Sequence, residues 1–484
     1  MVEPRAARGC EPRLAGVNLR EHLAGCGQAL WRIAEPLSVV EEITALQHLL
    51  SDAGRYPALF VERPRLADGR PSAMPVVTNL FASRARVAAL LGLDDHRKAA
   101  VAFARLAAAP RAPLAVSRVE APVQELVEAD VDLAALPALR QHELDAGHYV
   151  TAGHCITLDP DSGIDNVSVQ RCRVRGPRSM SFYPYPSSHN ARNLAKWEAR
   201  GERCPFALWI GHHPKVVLGA QAKLAHPQSH WSAAGGIAGE AVRLVPSVTH
   251  GARLMVPADA EIVIEGFVPP GVRVADGPFA EYTGYVGVQT AAHAVEVTAL
   301  TRRRDALYAD FGAGLEDHLV PENLAMEGRL YGMLKPLAPS LENVHVPFSG
   351  RRFHAYLQFR DPERGEVRDA LAAALAYRRL RTAIALDEDI DLFDERQVLW
   401  ALATRVQWHR DALRIDGLTH PNLDPSLPPG AATITKLGID ATLPPAAAPG
   451  KPKPFVPPNA VAPRALDAAR KVLADIDMSG WPTA

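Results

Sequence analysis

Five short apolar runs in the middle of the chain constrain its fold more than any other feature. They lie at 148–158, 167–175, 206–218, 253–268 and 293–308, and turn-forming residues separate them. Val- and Ile-rich alternation with a period of two is typical of strands, and helical patterns between these runs are few. The region therefore predicts an antiparallel β-barrel or sandwich of roughly 200 residues.

The segments on either side alternate helical and strand patterns, which predicts an α/β (α+β) chain. Helices are expected at 18–52, 83–93, 95–109, 193–201, 322–334, 369–377, 395–404 and 466–477, and flanking strands at 58–61, 74–80, 355–359 and 382–386. We expect an N-terminal α/β domain at 1–114, a central β domain at 115–320 and a C-terminal α/β domain at 321–445. Residues 446–484 are predicted to form an extended Pro/Ala-rich segment and a terminal helix that contacts a second subunit.

Composition narrows the functional class. The net charge of −1 predicts no nucleic-acid partner, and no apolar run has the length of a membrane span. The five cysteines form no CxxC pair, and residues 1–13 lack the apolar core of a signal peptide. We therefore expect a cytoplasmic enzyme.

Two acidic residues flank a Gly-Pro turn in the stretch 274–285. Asp276 precedes Gly277-Pro278, and Glu281 follows it. Such a turn can bring two carboxyls into one pocket, where the pKa of one is raised and it becomes a proton donor. The alternative is a hairpin with two solvated acids.

A second constellation lies at 165–171. An amide at the strand entry, Asn166, can ligate a hard cation, and Arg171 can hold a carboxylate bidentately. The alternative is a turn Asn and a surface Arg. Pro227 argues against a helix joining His226 to His230, and His189 alone is more often structural than a ligand. HExxH, Walker A and G-x-S-x-G motifs are absent from the sequence.

Taken in order, these elements resemble the UbiD family of non-oxidative decarboxylases. Asn166 to Arg171 is similar to the family's Asn-x-x-x-x-Arg element, and residues 276–285 to its E-G-P-[FY]-[GA]-[DE]-x-x-G-Y signature. Residues 386–391 with 398–405, and 435–442, are similar to its C-terminal signatures. The resemblance covers roughly residues 20 to 445.

The resemblance implies a fold, a cofactor and residue roles. The fold is a central split β-barrel (flavin-reductase-like) between two α/β domains, and the cofactor is prenylated FMN. Arg171, Asp276 and Glu281 would be catalytic, with Glu281 as the proton donor and Arg171 orienting the substrate carboxylate. Asn166, His189 and His230 would bind Mn²⁺ or another divalent ion near a K⁺ ion. The implied cofactor contacts are Asn166, Val169, Gln170, Arg171, Ser188, His189, Gln221, Ala222 and Lys436.

Two positions depart from the family pattern. Asp276 stands where relatives often have Glu, which shortens the reach of the side chain by one methylene. His230 aligns with a metal ligand that is normally Glu, so a negative charge is lost there and the identity of the metal is open.

The resemblance also implies the reaction and the partners. The substrate would be an α,β-unsaturated or aromatic carboxylic acid, in a polyketide or other natural-product tailoring step that yields an alkene or arene plus CO₂. A flavin prenyltransferase would supply the cofactor, and a homodimer is expected. Two alternatives are a flavin-dependent oxidoreductase on a split barrel and a non-catalytic flavin-binding protein.

Overall fold

The computed structural model describes residues 18–288, 290–363, 365–421, 423–428, 430–431, 433–444, 453–474 and 476. It divides the chain into two compact units, one extending to Ala441 and one beginning at Thr442. Among the described residues, no helix combines the length and apolar character that crossing a bilayer requires.

The N-terminal part is built on a four-stranded sheet. Its order is Leu30–Ile33, Ala58–Val61, Val76–Thr78, Tyr308–Ala309, so the last strand comes from far along the chain. The helices are Leu19–Gly25, Glu42–Asp52, Arg84–Leu90 and Ala99–Ala107, with 3₁₀ turns at Gly27–Ala29 and His96–Lys98. The prediction of helix throughout 18–52 is wrong at Leu30–Ile33, which pairs in parallel with Ala58–Val61.

The central part is an antiparallel sheet of ten strands, as the period-two pattern predicts. Its strand order is Tyr149–Val150, Cys172–Gly176, Ser179–Phe182, Thr290–Arg302, Ile262–Val268, Cys204–Ile210, His154–Leu158 and Asp165–Val169. Arg273–Asp276 and Leu126–Glu128 also pair with the 13-residue strand Thr290–Arg302. Within the described ranges no ladder joins the two end strands, so the sheet is open rather than a closed barrel.

Smaller elements complete this part. A three-stranded sheet contains Leu114–Ala115, Arg243–Ser247 and Gly251–Pro257. A two-stranded sheet pairs Phe279–Ala280 with Val286–Gly287. Short 3₁₀ turns lie at Arg118–Glu120, Pro122–Gln124 and Leu133–Ala135, and helices at His189–Ala199, Pro214–Ala220 and His230–Ala238. The predicted strand 206–218 ends at Ile210, because Pro214 occupies the first turn of a helix, where its missing N–H costs nothing.

The C-terminal part of the first unit is a five-stranded sheet. Its order is Leu341–His345, His354–Phe359, Thr382–Asp387, Thr433–Asp440, Ala412–Thr419, and its helices are Glu316–Leu334, Glu366–Leu375, Glu395–Arg405 and Trp408–Asp411. The first helix begins six residues before the predicted start and contains Pro321. Its first turn is anchored by Asp317, whose carboxylate accepts the N–H groups of Asn79 and Phe81.

One continuous apolar core extends through the N-terminal and central parts. The C-terminal sheet has two further clusters of its own. The boundaries of the predicted domains stay predictions. In the second unit the described helix is Pro463–Ala474, close to the predicted 466–477, and residues 446–452 of the predicted extended segment lie outside the described residues.

Candidate active site

Arg171 lies between the two acidic residues that flank the Gly-Pro turn. The strand Asp165–Val169 ends two residues before it, and Cys172–Gly176 begins directly after it. Arg171 Nη2 donates a 3.2 Å hydrogen bond to Asp276 Oδ2, and Arg171 Nη1 lies 2.8 Å from Glu281 Oε1. The fold thus brings together the three side chains predicted to be catalytic.

Asp276 is held on both carboxylate oxygens. It ends the strand Arg273–Asp276 and is 2% exposed. While Oδ2 accepts from Arg171, Oδ1 accepts a 2.6 Å hydrogen bond from Ser181 Oγ. Two donors on one buried carboxylate fix its orientation, and with it the position of the guanidinium.

A left-handed glycine starts the turn between the two acids. Gly277 has φ 81°, a region that favours glycine, and its N–H donates to Tyr149 Oη at 3.2 Å. The Gly277–Pro278 peptide is cis. Burial raises the pKa of Tyr149 to about 12, so its hydroxyl stays neutral at physiological pH.

The returning strand of the hairpin packs against Glu281. Phe279–Ala280 pairs with Val286–Gly287, and Glu281 N donates to Tyr285 O at 2.9 Å. A Cβ atom on Gly287 would lie 2.9 Å from Glu281 Cγ, closer than real Cβ contacts allow. Glycine at this position leaves the space that the Glu281 side chain occupies.

Glu281 has the properties of a proton donor. It is 8% exposed, and burial raises its pKa above the usual range although Arg171 opposes that shift. The 2.8 Å contact with Arg171 lacks the alignment of a hydrogen bond, and Oε1 has no hydrogen-bond partner among the described residues. A carboxyl of raised pKa with a free oxygen can deliver a proton to a bound substrate.

The loop after residue 140 supports the turn from behind. Asp145 Oδ1 accepts a 2.9 Å hydrogen bond from Ala280 N. The other oxygen accepts from Gln141 N and His142 N, which ties the carboxylate to its own loop. Ala146 N also donates to Pro278 O. These contacts hold the hairpin that carries Glu281.

A cavity of about 380 Å³ opens beside Arg171 and Glu281. That volume is typical of small-molecule sites. Arg171 Cζ stacks over one aromatic wall, 4.9 Å from the ring centroid of Phe279. The other aromatic lining residues are Tyr183, Tyr185, Tyr282, Tyr285 and Phe311.

Arginines from the C-terminal part also line this cavity. Arg352 forms an ion pair with Glu322 and is 2% exposed. Arg351 and Arg352 have φ of 47° and 65°, a conformation that costs on the order of 1–2 kcal/mol per residue for non-glycines. Such strain persists only where the surroundings enforce it, and it concentrates at functional sites.

The predicted cofactor contacts fit a flavin in part. Val169 and Gln170 line the cavity, and Ala222 is buried. Gln221 is 3% exposed, and neither amide atom has a hydrogen-bond partner among the described residues. Buried unpaired amides are costly unless a ligand satisfies them, so this side chain suits a polar cofactor. Ser188 has a structural contact as well, because its Oγ accepts from Ala191 N as a helix N-cap.

The predicted metal ligands are less well matched. Asn166 Nδ2 donates to Asn190, which leaves its amide oxygen for a cation. His189 begins a helix, and its ring lies 5.0 Å from that of His226. In the described part of the chain, no cluster of three or more His, Cys, Asp or Glu side chains could hold a metal ion.

His230, the third predicted metal ligand, accepts a backbone hydrogen bond. It does begin a helix, and burial lowers its pKa to about 3, so the ring is neutral. Val167 N donates to Nδ1 at 3.4 Å. That contact occupies Nδ1, so a metal would have to bind Nε2, and His230 as the third ligand stays a prediction.

Lys436 is also held by backbone. It is 1% exposed, and its Nζ donates to the carbonyls of Leu375, Tyr377 and Arg378 at 3.0, 3.1 and 3.3 Å. An ammonium group has three N–H bonds, so none is left for a flavin phosphate. The predicted cofactor contact is not supported.

Several residues at this site carry no local sequence signal. Ser181 and Asp145 stand in ordinary strand and loop contexts. Arg352 and Arg379 each follow another Arg, and such a doublet indicates local positive charge but does not predict a pocket. Only the tertiary fold shows that these side chains support or line the site.

Comparison with known proteins covers most of the chain. Three domain models of the 3-octaprenyl-4-hydroxybenzoate carboxy-lyase match this chain. The N-terminal domain model matches residues 27–106, the Rift-related domain model residues 115–315 and the C-terminal domain model residues 323–441. The anhydromevalonate phosphate decarboxylase of Methanothermobacter thermautotrophicus is 31% identical over 416 residues, 84% of this chain and 96% of that protein. The phenolic acid decarboxylase of Sedimentibacter hydroxybenzoicus is 29% identical over 460 residues, 90% and 93% of the two chains.

Solved structures of a UbiD-class enzyme are also similar to most of this chain. The UbiD-class enzyme HmfF from Pelotomaculum thermopropionicum, in complex with FMN, has a TM-score of 0.84 and 33% identity, covering 94% of this chain and 99% of that one. An evolved dimeric form of HmfF in complex with prFMN has a TM-score of 0.82 and 31% identity, covering 94% and 100%.

Proposed function

The chain belongs to the UbiD family of carboxy-lyases, and on that basis we propose that it releases CO₂ from an α,β-unsaturated or aromatic carboxylic acid with prenylated FMN. The observation that carries the proposal is Arg171 between Asp276 and Glu281 at the wall of one cavity. The names of two relatives describe decarboxylation of anhydromevalonate phosphate and of phenolic acids, and the HmfF structures hold FMN or prFMN.

Arg171 binds and orients the substrate carboxylate. Burial lowers the pKa of its guanidinium, but Glu281 and Asp276 outweigh that effect and raise it, so the group is always charged. Asp276 holds the guanidinium in place, and Ser181 holds Asp276. A fixed cation at the leaving carboxylate keeps the breaking C–C bond aligned in the cavity.

Glu281 replaces the lost carboxylate with a proton. When the C–C bond breaks, its electron pair stays on the substrate carbon, and CO₂ leaves. Bound prenylated FMN would supply the electron sink that no side chain of this site offers. Glu281 then donates its proton to that carbon and regains one from solvent.

The cofactor would contact Val169 and Gln170 in the cavity wall and satisfy the amide of Gln221. Asn166 and His189 are proposed ligands of Mn²⁺ or another divalent ion, with K⁺ nearby. The third divalent-metal ligand stays open, because Val167 N occupies Nδ1 of His230.

The remaining proposals concern the cellular setting. A homodimer, a flavin prenyltransferase as cofactor supplier, a cytoplasmic location and a role in natural-product tailoring stay proposals. The evolved dimeric form of HmfF supports the first of these.

The Glu281→Gln variant tests the proposed chemistry. It keeps the size of the side chain and removes the transferable proton, so we expect CO₂ release to fall about 10²–10⁴-fold. The flavin absorbance spectrum should not change. Glu342→Gln, at an exposed strand position, is the matched control. A Glu281→Gln enzyme with wild-type CO₂ release would refute the role of Glu281.

A further inference from the structure

Three donors in the wall of the active-site cavity lack an acceptor. Arg352 Nη2 and Tyr282 Oη are buried and have no hydrogen-bond partner among the described residues. In the same described part, Arg379 forms neither a hydrogen bond nor an ion pair, and its guanidinium carbon lies 5.8 Å from the Tyr282 ring centroid. Arg352 lies 4.7 Å from the same centroid. Both guanidinium groups therefore lie close to the Tyr282 ring in this wall.

Positive charge exceeds negative charge at this wall. Arg352, Arg378 and Arg379 line the cavity, and Glu322 is the carboxylate that pairs with Arg352. Arg378 donates a hydrogen bond to the Ser187 hydroxyl. Among the described residues, neither Arg378 nor Arg379 lies within ion-pair distance of a carboxylate.

The two other acidic lining residues do not offset this excess. Glu281 contacts Arg171, and Asp424 pairs with Arg381 and with His420. Burial lowers the pKa of the Arg352 and Arg378 guanidinium groups. At Arg379 the effect of burial is opposed by Glu322, and the pKa of the guanidinium is raised. An anionic ligand would offset the cost of burying these charges.

We propose that Arg379, Arg352 and Tyr282 bind a second anionic group of the substrate, so that the decarboxylated acid also carries a distant carboxylate or phosphate. This rests on the proposed function, because Arg171 and Glu281 must act on the reacting carboxylate in the same cavity. The guanidinium fork suits both anions, and the tyrosine hydroxyl adds a third donor.

The cofactor phosphate is the other anion to consider. Arg378 bonds to Ser187, next to the proposed cofactor contact Ser188, so the basic wall also reaches the cofactor side of the cavity. Arg352 and Arg379 instead share the cavity with Glu281, where the substrate reacts. We assign the anion to the substrate on this shared lining with Glu281, and flavin retention by the variants below distinguishes it from the cofactor phosphate.

Three matched probes test the inference. They are trans-α,β-octenoate, the corresponding octenedioate, and octenoate with a terminal phosphate ester. Cofactor-loaded wild-type enzyme should show a higher kcat/KM for one or both dianions than for octenoate. Arg379→Gln should lower the dianion preference roughly 10–100-fold, as expected for a lost charge-assisted contact, mainly through KM.

A binding measurement provides a readout that needs no turnover. Octanedioate and octanoate have no double bond, so calorimetry on the cofactor-loaded enzyme reports affinity alone. Octanedioate should bind more tightly, and Arg379→Gln should abolish that difference. Arg368→Gln, exposed on the helix Glu366–Leu375, is the matched control and should change neither affinity nor turnover.

The outcomes separate the inference from the proposed function. Equal use of all three probes by wild type, with CO₂ released from each, would overturn the anion site and leave the decarboxylase intact. Loss of bound flavin from Arg379→Gln at unchanged folding would assign the site to the cofactor phosphate and also overturn it. If no probe releases CO₂, calorimetry still decides, since tighter binding of octanedioate that depends on Arg379 would uphold the anion site.

Discussion

At the residue scale, the position of Glu281 depends on the glycine opposite it. A Cβ at Gly287 would meet Glu281 Cγ at 2.9 Å and Oε1 at 3.3 Å. Gly287→Ala should therefore push the carboxyl away from Arg171 and lower kcat roughly 10–100-fold, since small misplacements of a reacting group are costly. Steady-state CO₂ release measures the effect.

Gly332→Ala is the control for this substitution. Gly332 lies in the helix Glu316–Leu334 with no atom within 4 Å of an added Cβ. It should leave activity unchanged and slightly raise thermal stability, because alanine favours helix. A fully active Gly287→Ala enzyme would mean that Glu281 does not need its observed position.

Ser181 provides a second test at this scale. Its hydroxyl is the partner of Asp276 Oδ1, and no catalytic atom is removed with it. Ser181→Ala should loosen the Asp276–Arg171 pair and lower kcat/KM several-fold while flavin binding persists. Ser181→Thr, which retains the hydroxyl, should restore part of the loss. Equal activity in Ser181→Ala and wild type would show that Arg171 needs no such support.

At the element scale, one carboxylate joins two loops. Asp145 accepts the N–H of Ala280 on the active-site hairpin and two N–H groups of its own loop. Asp145→Ala leaves three backbone N–H donors unpaired, one buried and two partly buried, so we expect an unfolding free energy lower by about 1–3 kcal/mol and a reduced kcat. Chemical denaturation and CO₂ release check the two effects. Loss of stability with full activity would show that the active-site hairpin does not need Asp145 to position Glu281.

Elements with a local signal could be predicted, and those defined by distant contacts could not. The alternating runs of the central sheet and the Asp276-Gly277-Pro278 turn are local patterns, and the structure has both. Leu30–Ile33 is a strand because Ala58–Val61 pairs with it, and no local period shows that pairing. The sequence predicts one strand over residues 167–175, but one strand ends at Val169 and the next begins at Cys172. Arg171 lies between them, so the alternation of faces along a strand does not fix the direction of its side chain.

At the scale of the whole molecule, a buried acid couples stability to pH. Burial raises the pKa of Asp310 to about 8. Its oxygens accept from Thr151 Oγ1 and Gln141 Nε2, between the N-terminal and central parts. The folded state thus binds a proton that the unfolded state releases near pH 4. The stability from this group is complete below that pH and is lost as the pH rises towards 8.

The expected slope is at most about 1.4 kcal/mol per pH unit in that window. Asp310→Asn places a neutral amide in the same site, with its NH₂ available to Thr151 Oγ1 and its oxygen to Gln141. Denaturation curves at several pH values should therefore be flatter for Asp310→Asn than for wild type. Parallel curves would show that Asp310 does not titrate with folding.

At the scale of the whole molecule, the fold brings the three predicted catalytic residues together, and their roles stay predictions. Asp276 and Glu281 are five residues apart, and Arg171 joins them through the antiparallel sheet. Arg352 and Arg379 reach the same cavity from another sheet layer, and no spacing rule connects them to Arg171. His230 and Lys436 occupy aligned positions, but backbone partners hold both, which alignment alone does not reveal.

The most direct test of the account is CO₂ release by enzyme purified from cells that also make prenylated FMN. The assay would use unsaturated and aromatic acids, without an oxidant or a nicotinamide. The account predicts CO₂ in equal amounts with the shortened alkene or arene, and none from enzyme that holds ordinary FMN. Enzyme with prenylated FMN verified by mass spectrometry that releases no CO₂ from any of these acids would contradict it.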